Sequence, residues 1–310
     1  MSDEYHLKWI NLSFFKKSAH FACVCAFFVV PLQRKNKQYY FNHHIMKRLT
    51  IIFALALATM SIMADEFKIG KLTFVTTSAS TVELEDAEKN ISKVYLTKTI
   101  NHQGKTYTVA SIGYKAFANC TALKSVKIPY GIKEIGEYAF AGCTSLRSVT
   151  LPSSIKMIGV GVFADCSALT SVNIPSSVKE IGQYAFMDCT ALSAVTIPSG
   201  VKEIGWMAFS GCSSLRSVTL PTSVNWIGRM AFSHCSSLKS VTLPKKLKKI
   251  EHSAFASCTS LTSVNIPTSV TEIEDMAFYG CKRLKSATLS YRLKNIAKNA
   301  FPKRTKIYRK

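Results

Sequence analysis

The sequence predicts an α/β solenoid of 23-residue coils, with one parallel sheet on one face and short helical turns on the other. Phenylalanine recurs at Phe117, Phe140, Phe163, Phe186, Phe209, Phe232, Phe255, Phe278 and Phe301, and the interval never slips. Three more columns keep the same interval: Cys120 to Cys281, Leu123 to Leu284 and Ile135 to Ile296. A spacing without insertions means that each unit is one coil stacked on the next, its apolar positions lining a shared core.

Within a coil, Ser148-Val149-Thr150-Leu151 alternates polar and apolar with period two, as does Ser171-Val172-Asn173-Ile174. Such alternation marks a half-buried strand, and one strand per coil stacks into a parallel sheet. Pro152, Pro175 and Pro198 follow these strands, where a fixed φ and a missing donor end the ladder and start a turn. Ile155 and Ile158 anchor a second extended stretch. Gly136, Gly159, Gly182, Gly205 and Gly228 then recur, which implies either positive φ or a close backbone approach. Glu251, Glu274 and Ala297 take that place in later coils. The segment carrying each Phe is short enough for a turn or two of helix, with Phe as its core knob.

Leu146-x-x-Val149-x-Leu151 fits the Leu-x-x-Leu-x-Leu pattern, flanked by Ala-Phe-x-x-Cys before it and, in Ile174-Pro175, an Ile-Pro after it. The unit resembles the BspA-like, Treponema pallidum-type leucine-rich repeat family over about residues 109–301. The resemblance implies adhesion to host proteins, matrix or other cells.

The array divides the chain. Residues 65–108 read as an N-terminal cap on a degenerate repeat, because Val94 and Leu96 match Val126 and Ile128, with His102-Gln103-Gly104 turning the insertion Asn101–Thr108. Residues 109–301 are the solenoid, and 302–310 are a basic tail, for which a frayed terminus is the expectation. From Met46 to Ala64 a short basic start, an apolar run and a small final residue predict a signal peptide. Met46 is then the expected initiator and 1–45 a non-native upstream extension. The rival first hydrophobic segment, Phe21–Leu32, is too short for the ~20 residues of a spanning helix, and no span is expected in the mature chain from Asp65.

The net charge is +22, and about +16 of it lies downstream of Ala64. That balance favours anionic partners. On the predicted strands Thr150, Asn173, Thr196, Thr219 and Thr242 face outward as a hydrogen-bonding strip. Beside them Lys124, Arg147, Arg216, Lys239 and Lys285 form a basic row, suited either to receive phosphate, sulfate or carboxylate groups or to act as a solubilising rim. Trp206 and Trp226 stand in adjacent coils where other coils mostly carry polar residues. They read as an exposed aromatic pair, the commonest chemistry of a binding hot spot, or as indoles packed over their own loops.

Eight cysteines in one column invite a disulfide ladder or a metal array. Parallel stacking, however, points neighbouring Cβ atoms the same way rather than at each other, and no Cys-x-x-Cys pair occurs in the array. Buried thiols are the expectation. His102, His234 and His252 neither recur nor accompany a nucleophile motif, so no catalytic set, metal site or cofactor is expected. The sequence therefore predicts a secreted or cell-surface recognition protein, not an enzyme. Its expected partner is a protein or glycan at the cell surface, with no specific nucleic acid. The alternative is a polyanion-binding module that uses the basic row and the C-terminal tail.

Overall fold

The computed structural model describes residues 64–310, together with a short antiparallel pair, Arg34–Lys35 with Gln38–Tyr39. The expected extension over 1–45 and signal peptide over 46–64 otherwise lie outside the described residues. By contacts the chain divides into Met1–Ser61 and Ile62–Lys310, and the second unit carries the repeats.

Each coil begins with the predicted strand. Ser125–Lys127, Ser148–Thr150, Ser171–Asn173 and Ala194–Thr196 pair in parallel and in register, Val126 beside Val149 and Val172 beside Val195. The same pairing resumes between Ser217–Thr219 and Ser240–Thr242, and between Ser263–Asn265 and Ser286–Leu289. Because side chains alternate across a strand, the central valine, replaced by Ala287 in Ser286–Leu289, is buried while its flanking Ser, Thr or Asn faces solvent in most coils.

After the proline turn the second stretch is also a strand. Met157–Ile158, Glu180–Ile181, Glu203–Ile204 and Trp226–Ile227 form a second parallel stack, with the isoleucines turned into the core. Two parallel stacks per coil thus replace the single sheet that the alternation predicted.

The expected helical turns are absent among the described residues, and the backbone shows why. In the Phe140 segment, Tyr138, Phe140 and Gly142 send their N–H groups to Val160, Val162 and Ala164 of the next coil at 2.8–2.9 Å. The intervening Ala139 and Ala141 bond back three residues, to Gly136 and Tyr138. A helix would direct every N–H along its own axis. Here alternate donors serve the neighbouring coil, made possible by two left-handed positions per coil. One column runs from Lys115 through Tyr138, Gly161, Tyr184, Met207, Met230 and Ser253 to Met276, with φ of 54–59°. The other runs from Asn119 through Gly142, Asp165, Asp188, Gly211, His234 and Ser257 to Gly280, with φ of 55–74°.

The glycine column has a different cause. Gly136, Gly182, Gly205 and Gly228 lie outside the left-handed region, but a Cβ at Gly205 would stand 2.5 Å from the Gln183 nitrogen. Backbones of adjacent coils approach too closely there for a side chain.

Phenylalanines form the spine of the core. Eight consecutive ring pairs, Phe117 to Phe301, lie 5.0–5.5 Å apart at 2–15°. Near-parallel aromatic pairs of this kind add ~0.5–1.5 kcal/mol each beyond the area they bury.

At the N-terminal end Glu66–Ile69, Leu72–Thr76 and Thr81–Ala87 run antiparallel, and the last pairs in parallel with Lys105–Ile112. Thr99–His102 and Lys105–Ile112 form a hairpin whose turn is Gln103 and Gly104 alone, both at positive φ as a two-residue primed turn requires; His102, expected in the turn, instead ends the strand, paired with Lys105. Lys93–Tyr95 pairs with Ser125–Lys127, placing Val94 opposite Val126. At the other end the basic terminus is not frayed. Lys306–Arg309 pairs in parallel with Ser286–Leu289, and the Arg309 guanidinium donates to the Ser290 and Leu293 carbonyls at 3.1 and 3.0 Å.

Candidate functional site

The outward row of the first stack is built as the alternation requires. Thr150, Asn173, Thr196, Thr219 and Thr242 are all exposed, with Thr150 in register with Asn173, Asn173 with Thr196, and Thr219 with Thr242. Parallel register stacks them at the ~4.8 Å spacing of paired strands.

The basic row resolves into pairs. Arg147 donates its backbone N–H to the Lys124 carbonyl at 3.0 Å and Lys239 to the Arg216 carbonyl at 2.9 Å, so each couple stands on adjacent coils. Between the couples lie Thr170 and Ser193, whose hydroxyls turn back to the Arg147 and Thr170 carbonyls at 3.3 and 3.5 Å. All four cations are exposed, as is Lys285, the fifth of the row, which stands apart with its N–H on the Thr262 carbonyl.

The tryptophans leave the coil elsewhere. Trp226 lies in the second stack, opposite Glu203, and Trp206 in the turn that follows Glu203–Ile204. Each indole is 38% exposed. The ring partner of Trp206 is Tyr184, 5.2 Å away and tilted by 50°. The Trp226 indole lies near the Glu251 carboxyl and favours its charged form. Thus the structure brings the hydroxyl strip and the basic row together on one stack and sets the two indoles along the other.

Beside Trp226 the glycine column has given way to carboxylates. Lys249 bridges Glu274 at 2.6 Å and Glu272 at 3.5 Å, and the His252 backbone N–H donates to Glu274 at 2.7 Å. Burial, and then the adjacent Glu274 charge, push the Glu251 carboxyl up. Burial pushes Glu274 the same way, but the Lys249 hydrogen bond and the His252 N–H outweigh it and leave that carboxyl below its ordinary value.

Comparison with known sequences decides the family: the BspA type leucine rich repeat region matches in six copies, over residues 95–216 and 179–308. The chain belongs to the BspA-type leucine-rich repeat family. No curated protein matches the sequence. Among solved structures, this BspA-type chain is similar to a leucine-rich repeat protein from Bacteroides ovatus at 24% identity and a TM-score of 0.45, covering 78% of this chain and 99% of that one. It is similar to the Treponema pallidum leucine rich repeat protein at 27% identity and a TM-score of 0.48, covering 71% and 91%. A leucine rich cell surface protein from Faecalibacterium prausnitzii matches at 23% identity and a TM-score of 0.37, covering 79% and 94%.

Two features of this BspA-type array escaped the sequence reading. Tyr184 supports Trp206 across 22 positions, one short of the repeat, so no column pairs them. The carboxylate cluster was visible as Glu251 and Glu274 in the glycine column, a change of residue class that signalled a change in local packing. Among the described residues no helix is long and apolar enough to cross a membrane, and no group of three His, Cys, Asp or Glu side chains could hold a metal.

Proposed function

We propose that this protein is a secreted or cell-surface recognition and adhesion protein that binds a macromolecular ligand, a host or matrix protein or another cell, through its solenoid surface. One observation carries the reading: Trp206 and Trp226, large apolar groups among polar neighbours, remain 38% exposed on adjacent coils. A half-exposed indole such as Trp206, packed on Tyr184, is already ordered, so covering it recovers apolar burial at little entropic cost. The family's resemblance-based link to adhesion points the same way, and the arrangement suits binding rather than turnover.

The test is capture of the purified full chain on an array of matrix proteins, at low and high salt, with the Trp206→Ala/Trp226→Ala variant alongside. Capture that survives salt and falls at least tenfold in the double variant supports the reading. Capture indifferent to both indoles refutes it.

A second reading, a polyanion-binding module, has its own support. The couples Lys124/Arg147 and Arg216/Lys239 present two cations on hydrogen-bonded neighbouring coils, a spacing that a chain of anionic groups can follow.

A further inference from the structure

In an array this regular, departures from a column locate what the fold alone does not require. The register of Lys282 holds Ser or Thr in every earlier coil, from Thr121 through Thr144, Ser167, Thr190, Ser213 and Ser236 to Thr259. That of Arg283 holds Ala or Ser from Ala122 to Ser260. Both columns turn cationic in one coil only, at the C-terminal end.

The fold gathers further cations there. Lys306 donates its backbone N–H to the Lys285 carbonyl at 2.9 Å, and the terminal strand sets Tyr308 opposite Thr288. Lys282, Arg283, Lys285, Arg304, Lys306 and Tyr308 line one cleft. Every one of these six is exposed, and no carboxylate lines the cleft. The ion pairs seen among the described residues, Lys89 with Asp86 and Lys249 with Glu272 and Glu274, lie elsewhere. Five like charges crowded in this way repel one another, and an oxyanion ligand relieves that repulsion.

We propose that this cleft binds a sulfated polysaccharide. The proposal rests on the polyanion reading above and gives it a place and a ligand class. Arg283 and Arg304 offer planar forks for oxyanion edges, while the lysines add point charges. Tyr308, 55% exposed, offers an apolar ring to the carbon face of a sugar. Beyond the cleft the Thr288, Asn265 and Thr242 row continues as a polar strip whose hydroxyl and amide groups match sugar hydroxyls. A single-stranded nucleic acid would want successive aromatic platforms, and the cleft lining supplies one. A bilayer is flat and would meet only the cleft rim.

The test uses the full chain and heparin oligosaccharides. Lys282→Thr/Arg283→Ser restores the residues of the other coils and so preserves the fold, checked by thermal melting. Lys133→Thr/Lys156→Asn removes the same charge elsewhere with residues that its column already uses at Asn225 and Thr271. Wild type should bind heparin and lose roughly 10- to 100-fold in affinity from 50 to 200 mM salt, since released counterions drive the association. The cleft variant should lose at least tenfold and the charge-matched variant less than threefold. Equal losses in both, or an unaffected cleft variant, overturn the cleft while leaving polyanion binding standing. Heparin indifference at low salt overturns both. Stronger capture of a single-stranded oligonucleotide or of phosphatidylserine vesicles overturns the choice of polysaccharide.

Discussion

The Cys212 thiol donates to the Phe186 carbonyl 26 residues earlier, at 3.2 Å. That offset is one coil and three residues, and it recurs from Cys143 with Phe117 to Cys281 with Phe255 at 3.1–3.2 Å. Each thiol therefore satisfies a carbonyl of the preceding coil, joining the two most regular columns of the sequence. Only Cys120, which has no such coil before it, sits 3.9 Å from the Ala87 and Glu88 carbonyls.

This geometry predicts inert thiols. The eight cysteines of the array are buried and free, and burial pushes Cys143 and Cys235 up to about 12. Only a minute thiolate fraction exists at neutral pH, so iodoacetamide labelling of the native chain should be slow, with Cys120 modified first, and should become fast on unfolding. A thiol whose folded pKa exceeds its unfolded one contributes stability below the unfolded value and loses it as pH rises toward the folded value. The melting temperature should fall from about pH 9 upward, and less steeply in a Cys143→Ala/Cys235→Ala variant. Rapid native-state labelling of Cys235 would contradict the assignment.

Removing one rung of the phenylalanine ladder tests what holds the coils together. Phe209 is fully buried between Phe186 and Phe232, at 5.2 and 5.3 Å. Phe209→Ala should cost ~3–5 kcal/mol in urea unfolding. Because coils interact only with neighbours, the loss should also broaden the transition by uncoupling the two halves. A cost below about 1 kcal/mol would mean that the ladder follows from stacking rather than stabilising it.

The glycine column separates into members that need glycine and one that does not. At Gly205 a Cβ would meet Gln183 and Gly182 backbone atoms at 2.5 Å, whereas at Gly159 the nearest atom is 3.6 Å away. Gly205→Ala should therefore destabilise by ~1–3 kcal/mol, while Gly159→Ala stays within about 1 kcal/mol of wild type. Equal costs at the two sites would refute the close-approach explanation.

The columns made the coil, its core and its outward row readable, because a buried position tolerates few residue types and repeats them. What stayed hidden obeyed other rules. Lys115, Tyr138 and Met207 adopt left-handed φ although none is a residue that favours it, since the ladder between coils imposes that conformation. The companion column of Asn119, Gly142, Asp165 and Gly211 did carry the usual left-handed residue types, so those turns were legible in principle. The terminal strand was masked by spacing: Lys306 pairs with Ser286 at an interval of 20 residues rather than 23, so Ile307 and Tyr308 fall out of register with every column. For the candidate site, exposure of the hydroxyl strip followed from alternation, and that of the basic row, which precedes each strand, from the cost of burying a charge. The support of Trp206 did not, because Tyr184 reaches it diagonally across coils.

The carboxyls of Glu251 and Glu274, in the coils that follow Trp226, are shifted in opposite directions. Glu251 is held above its ordinary value, by burial and by the Glu274 charge, so its favourable contribution is present at acid pH and is lost as pH rises through its raised folded value. Glu274 is held low by the Lys249 hydrogen bond and the His252 N–H, against its own burial, so its contribution is present at neutral pH and lost on acidification. Glu251→Gln should therefore raise the melting temperature at pH 7 and converge with wild type near pH 4, where the native carboxyl is already protonated. Lys249→Met should do the reverse, lowering the neutral-pH melting temperature by stranding Glu274 and Glu272 without their cation. The Glu251 substitution also removes the charge near the Trp226 indole, so the same variant should change Trp226 fluorescence while leaving Trp206, packed on Tyr184, as it was. A melting profile for Glu251→Gln that parallels wild type from pH 4 to pH 8 would show that the two carboxyls titrate independently.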